Sequence, residues 1–78
     1  MKAQLSSVIN RKDTLQKYKT KLSEAGFKDI EIKDMLIYLN LESLNDLIKI
    51  IKALDNELII NTSNDDSLSI DVYDDYIE

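Results

Sequence analysis

The sequence predicts a small α+β domain: two helices packed on a mainly antiparallel sheet of three to four strands, in the order α-β-β-α-β-β. Three observations carry that prediction. Apolar residues recur at helical spacing near the N-terminus and again in the middle of the chain, and other segments alternate with the two-residue period of a strand. The chain is only 78 residues long and shows no repeat, linker or low-complexity segment, which fits one domain, residues 1–78, with helices on one face of a sheet.

Leu5, Val8, Ile9, Leu15, Tyr18, Leu22 and Ala25 recur at three-, four- and seven-residue spacings, so they define one apolar stripe of a first helix with lysines on the other side. Gly26 ends that helix by taking a left-handed conformation at C′, and Phe27 then closes onto Leu22 as in a Schellman motif. Ile30 and Ile32 alternate with Glu31 and Lys33, and after Asp34 comes the apolar run Met35-Leu36-Ile37-Tyr38-Leu39. These read as two strands, although Lys33-Asp34 makes a poor two-residue turn and one helix through residues 29–40 is the competing reading. Ser43, with Asp46 at N3, signals a second helix over about residues 44–55, whose face carries Leu44, Leu47, Ile48, Ile51 and Leu54. Asn56 would close it. Glu57-Leu58-Ile59-Ile60 reads as a strand, Thr62 to Ser67 as a turn, and Leu68, Ile70 and Val72 alternate with Ser69, Asp71 and Tyr73 in a half-buried strand.

Composition removes most chemistries. The chain has no Cys and no His, hence no thiolate, no imidazole base and no zinc, haem or iron–sulfur ligand set. Its single Gly cannot build the glycine-rich loops that cradle nucleotide phosphates. A domain this small also buries only roughly 60–65% of the surface its unfolded chain exposes, which leaves little volume for a catalytic cleft. The expectation is a non-enzymatic protein with no cofactor and no metal. No apolar run approaches the roughly 18 residues of a membrane span, and the first residues lack the apolar core of a signal peptide, so a cytoplasmic location is expected.

Charge is unevenly spread. Residues 1–28 carry +5, residues 29–54 carry −2 and residues 55–78 carry −8 with no basic side chain, giving the net −5 of the chain. Direct nucleic-acid binding is disfavoured: the lysines of the first helix have no interleaved aromatic platform, and the net charge repels phosphate. The acidic end is the more informative feature. On a strand, Asp71, Tyr73 and Asp75 would share the solvent face at spacings of roughly 6.6–6.8 Å. Together with Asp65, Asp66, Asp74, Tyr76 and Glu78 they form the candidate partner-binding set. Carboxylates held on a rigid edge imitate backbone phosphates and fit a Lys- and Arg-lined groove. The plainer reading of the same residues is a solvated acidic edge that keeps the protein soluble and blocks strand pairing.

Three specific chemistries fail on this segment. Tyr73-Asp74-Asp75 matches a polymerase metal motif, but the further carboxylates and the length of a polymerase palm are missing. Asn64-Asp65-Asp66 lacks the alternating ligands, central Gly and terminal Glu of a calcium loop. Paired carboxylates do acid–base work only where an enclosing pocket separates their pKa values, and nothing in the sequence builds one.

Leu41-Glu42-Ser43-Leu44-Asn45-Asp46-Leu47-Ile48 through Glu57-Leu58-Ile59-Ile60, with the closing segment Ile70-Asp71-Val72-Tyr73-Asp74-Asp75-Tyr76-Ile77-Glu78, resembles small proteins of phages and mobile elements in low-GC Gram-positive bacteria, among them anti-CRISPR proteins. The resemblance spans roughly the C-terminal half. It implies an inhibitor that occupies the DNA-binding surface of a host nuclease complex, a CRISPR effector or another nucleic-acid-binding protein, through an acidic face. The alternative is a structural or regulatory homodimer assembled through the N-terminal amphipathic helix, whose stripe suits docking on its own sheet as well as sharing in a dimer.

Overall fold

The computed structural model of the chain describes residues 1–8, 11–63 and 65–73. Its first element is a strand, β1, over Lys2–Ser7, in which Ala3, Leu5 and Ser7 point to the core and Lys2 and Gln4 to solvent. This corrects the single N-terminal helix. Helix α1 begins only at Lys12 and runs to Glu24, with Leu15, Tyr18 and Leu22 fully buried. Leu5 therefore belongs to β1, Val8 is 56% exposed beyond its end, and Ile9 lies outside the described residues. The helical spacing of Leu5 and Val8 with the later residues was coincidental; the two-residue alternation of the first six strand positions is what the fold uses. Because α1 turns its apolar stripe into the core, that stripe is not available to a second copy.

The Schellman end of α1 is present. Phe27 N–H donates to the Leu22 carbonyl and Gly26 N–H to that of Ser23, both at 3.1 Å, with Gly26 at φ +106° and Phe27 packed against the core. Residues 29–40 are not a helix but a hairpin, β2 over Glu31–Lys33 and β3 over Leu36–Asn40. The turn is Asp34-Met35 rather than Lys33-Asp34, and both residues have positive φ, as a type I′ turn requires.

Helix α2 covers Leu44–Leu54. Ser43 sits at its N-cap, but its hydroxyl makes no capping bond; the Asp46 carboxylate at N3 instead accepts the N–H of Glu42, the residue before the cap, at 2.7 Å and so fixes the chain that enters the helix. The helix closes on Asp55 in the left-handed conformation, not on Asn56, whose side-chain amide donates to the Tyr73 carbonyl at 3.2 Å. A second hairpin follows, β4 over Glu57–Thr62 and β5 over Ser67–Tyr73.

The five strands form one mixed sheet in the order β2-β3-β1-β5-β4, with β1 and β5 parallel and the other three pairings antiparallel. The sheet thus has one strand more than the expected three to four, because β1 had been assigned to the helix. The strand directions make β1-α1-β2 one crossover, passing β3, and β3-α2-β4 a second, passing β1 and β5. The two crossovers run in opposite directions from oppositely oriented strands, so right-handed connections place both helices on the same face. Burial agrees: Ala3, Leu5, Ile37, Leu39, Leu68, Ile70 and Val72 all point to that face and meet Leu15, Tyr18, Leu22, Ile50 and Leu54 in one core. Each fully buried Leu or Ile contributes about 1.5–3 kcal/mol of transfer free energy. Among the described residues, no helix lies on the opposite face of the sheet. No helix among the described residues is long and apolar enough to cross a membrane.

Candidate functional site

The uncovered face of the sheet follows from strand register. Alternation sends Lys2, Gln4 and Ser6 of β1, Leu36, Tyr38 and Asn40 of β3, Ser67, Ser69, Asp71 and Tyr73 of β5, and Glu57, Ile59 and Asn61 of β4 to the same side. The short β2 adds Glu31 and Lys33.

Charge on this face is divided. The β2-β3-β1 half interleaves Lys2 and Lys33 with Glu31, whereas the β5-β4 half carries Asp71 and Glu57 and no cation. Tyr73 stands opposite Glu57 in the ladder and is 37% exposed, and Asp71 stands opposite Ile59, which is 46% exposed. The Asp71 carboxylate is held in place by the Ser6 hydroxyl, which donates to it at 3.0 Å from the neighbouring strand. Asp55, at the end of α2, precedes Glu57 at the same end of the sheet, and the Asn56 amide bond to Tyr73 joins the two segments.

Asp65 and Asp66 are elsewhere. They occupy the turn between β4 and β5, at the far end of β5 from Tyr73, and the strand from Ser67 to Asp71 that separates them from Asp71 spans about 13 Å at roughly 3.3 Å per residue. Their carboxylates serve the turn: Asp65 accepts the hydroxyls of Ser63 and, at 2.7 Å, Ser67. Those two donors, Ser63 first, hold the Asp65 carboxyl below its ordinary value of 3.8. Asp66 lies 4.0 Å from the amino group of Met1. The structure therefore brings Asp71 and Tyr73 together and sets Asp65 and Asp66 apart from them. Asp74, Asp75, Tyr76 and Glu78 lie outside the described residues.

Sequence reasoning did not select Asp55, Glu57 and Ile59, which complete the acidic end. The available signal was the alternation of β4 itself, Glu57 and Ile59 against Leu58 and Ile60, once that strand is paired with β5. It also missed an exposed apolar band: Leu44, Ile48 and Ile51 on α2 are 67%, 48% and 42% exposed, while the face that α2 buries is Ile50 and Leu54 with Leu47 and Ala53 beside them.

The hollows on the described surface are broad and open to solvent. Two border the uncovered face: one of about 430 Å³ between Lys2, Glu31, Lys33 and Tyr38, and one of about 530 Å³ where Lys2, Gln4 and Tyr38 meet Asp65 and Asp66. No group of three or more acidic side chains among the described residues is arranged to hold a metal ion. The β5-β4 half of the face thus carries the carboxylates of Asp71 and Glu57 with Tyr73 and Ile59 between them on paired strands. Compared with known proteins, the chain matches no family model, no curated protein and no solved structure.

Proposed function

We propose that this protein is a small non-enzymatic binding protein that acts in the host cytoplasm by occupying the nucleic-acid-binding surface of a host protein, as an anti-CRISPR protein occupies a CRISPR effector. The observation that supports the reading is the β5-β4 half of the uncovered face, where Asp71, Glu57 and Tyr73 stand on rigid strands with no cation among them. A partner groove lined by Lys and Arg matches that half by charge, and Tyr73 and Ile59 supply apolar contact within the charged frame.

The test begins with capture of a partner from a bacterial host lysate, and its supporting outcome is competition: DNA or RNA bound by that partner should be displaced by this protein. Complex formation should weaken as salt rises, since the Debye length falls from about 10 Å at 0.1 M to about 3 Å at 1 M. Replacing Glu57 by Gln and Asp71 by Asn removes two charges and little shape, so the fold should persist and affinity fall. Replacing Lys12, Lys17 and Lys19 by Gln should leave affinity nearly unchanged. If the lysine variant loses binding while the carboxylate variant keeps it, the working surface is α1 and the acidic half is a solubilising edge.

A further inference from the structure

The two edges of the sheet are built differently. The β2 edge is three residues long and bears Glu31 and Lys33, short and charged as protected edges are. The β4 edge is six residues, Glu57-Leu58-Ile59-Ile60-Asn61-Thr62, with no lysine and no proline, and Ile59 and Ile60 are 46% and 36% exposed. Its one charge, Glu57, stands at the first position, and Leu58 to Thr62 carry none.

The phase of its hydrogen bonding is fixed by the turn. Ser63 N–H donates to the Ser67 carbonyl at 3.1 Å, so this opposed pair is a hydrogen-bonded one. Alternation along the ladder then makes Asn61, Ile59 and Glu57 the residues bonded to β5 and turns the N–H and C=O groups of Leu58, Ile60 and Thr62 outward to the free edge. The side chains of those three residues point to the helix side of the sheet, because they stand opposite Val72, Ile70 and Leu68.

Above that edge lies the exposed stripe of α2. Asp46 and Lys49 line a hollow together with the C-terminal end of α1, so that flank of α2 faces α1. Leu44, Ile48 and Ile51 are on the opposite flank, and α2 crosses the β1-β5-β4 half of the sheet, so the stripe overhangs the β4 edge. Helix and strand run antiparallel, which sets Ile51 toward the Leu58 end and Leu44 toward the Thr62 end.

We propose that the β4 edge and the overhanging Leu44–Ile48–Ile51 stripe form the interface of a twofold symmetric homodimer, in which the two sheets join through antiparallel β4 strands centred on Ile60. A second copy is the occupant that fits on both levels. In this register Ile60 meets Ile60 of the partner subunit and Leu58 meets Thr62 of the partner subunit, so the outward backbone groups of Leu58, Ile60 and Thr62 pair mutually, and no like charges stand opposite. The same axis passes near Ile48, bringing Leu44 beside Ile51 of the partner subunit in an antiparallel helix pair. Leu44, Ile48, Ile51 and Ile60 together expose about as much surface as two fully exposed Leu or Ile side chains per copy, and the paired strands add to that area. The dimer is independent of the partner reading above and leaves both uncovered faces on one side.

The full chain, examined by sedimentation equilibrium over micromolar to submillimolar concentrations, should show twice the 9.0 kDa chain mass. Ile48→Glu and Ile60→Lys should each return it to one chain mass while the circular-dichroism melting transition persists, and Glu31→Lys on the other edge should remain dimeric. Because the chain has no cysteine, Ile60→Cys gives a clean second measurement: mild oxidation should yield a covalent dimer within minutes, whereas Asp34→Cys should not. A wild-type chain that stays at one chain mass throughout, a dimer unaffected by both charged substitutions, or a dimer that fails to cross-link at position 60 would each overturn the proposal.

Discussion

Gly26 shows how far one residue can be read. A glycine between an apolar heptad and Phe27 signals a left-handed helix end, and the φ of +106° and the two bonds to Ser23 and Leu22 are what that signal implies. A Cβ at Gly26 would meet nothing within 4 Å, so the cost of Gly26→Ala is conformational alone. We expect a loss of about 1 kcal/mol, seen as a melting midpoint lower by about 4–8 °C. An unchanged midpoint would mean that the helix end does not depend on this backbone geometry. Asp65 was legible as an acid within a turn but not as the acceptor that holds the turn, since its serine partners are set by the conformation of the loop. Its folded pKa is lowered, so its contribution to stability is present at pH above 3.8 and is lost as pH falls through the lowered value. Asp65→Asn should therefore melt below the wild type near neutrality, and the difference should shrink in melts taken progressively below pH 3.8.

At the level of elements, periodicity succeeded where the apolar residues of a segment all face one neighbour. In β5, Leu68, Ile70 and Val72 do so, and the alternation was plain. In β1 the core positions are Ala3, Leu5 and Ser7, one small and one polar, which leaves Leu5 as the sole strong apolar marker and lets a helical count absorb it. The distinction is measurable: Leu5→Ala should cost about 2–5 kcal/mol in denaturant unfolding because Leu5 is fully buried in a central strand, and Val8→Ala should change it by less than about 0.5 kcal/mol. Comparable losses at both positions would restore one continuous helical stripe. The β2–β3 turn escaped for a different reason. Asp34 and Met35 adopt positive φ without a glycine, a choice that side-chain preferences do not announce and that the pairing of Lys33 with Leu36 imposes. In α2, spacing traced one face through Leu44, Leu47, Ile48, Ile51 and Leu54 and passed over Ile50, whereas docking buries Ile50 and Leu54 and leaves Leu44, Ile48 and Ile51 outside.

For the molecule as a whole, the separation of charge along the chain becomes a separation across the sheet, with Asp71 and Glu57 on one half and Lys2 and Lys33 among the residues of the other. The sequence already set Asp65 and Asp66 in a turn and Asp71 on the strand after it; what it did not show is how Ser63 and Ser67 close that turn around the Asp65 carboxylate. The parallel pairing of β1 with β5 carries a further consequence, for the order of events in folding. The first strand finds its central neighbour in residues 67–73, so the contact that completes the middle of the sheet closes nearly the longest loop the described chain offers. Local hairpins and both helices can form during synthesis, yet β1 has β3 alone beside it until β5 has emerged. Refolding in stopped-flow mixing should accordingly run in the millisecond-to-second range of topologies with distant pairings, not the microsecond range of helical bundles. A nascent chain arrested before Ser67 should remain open to protease, and one released beyond Tyr73 should become resistant.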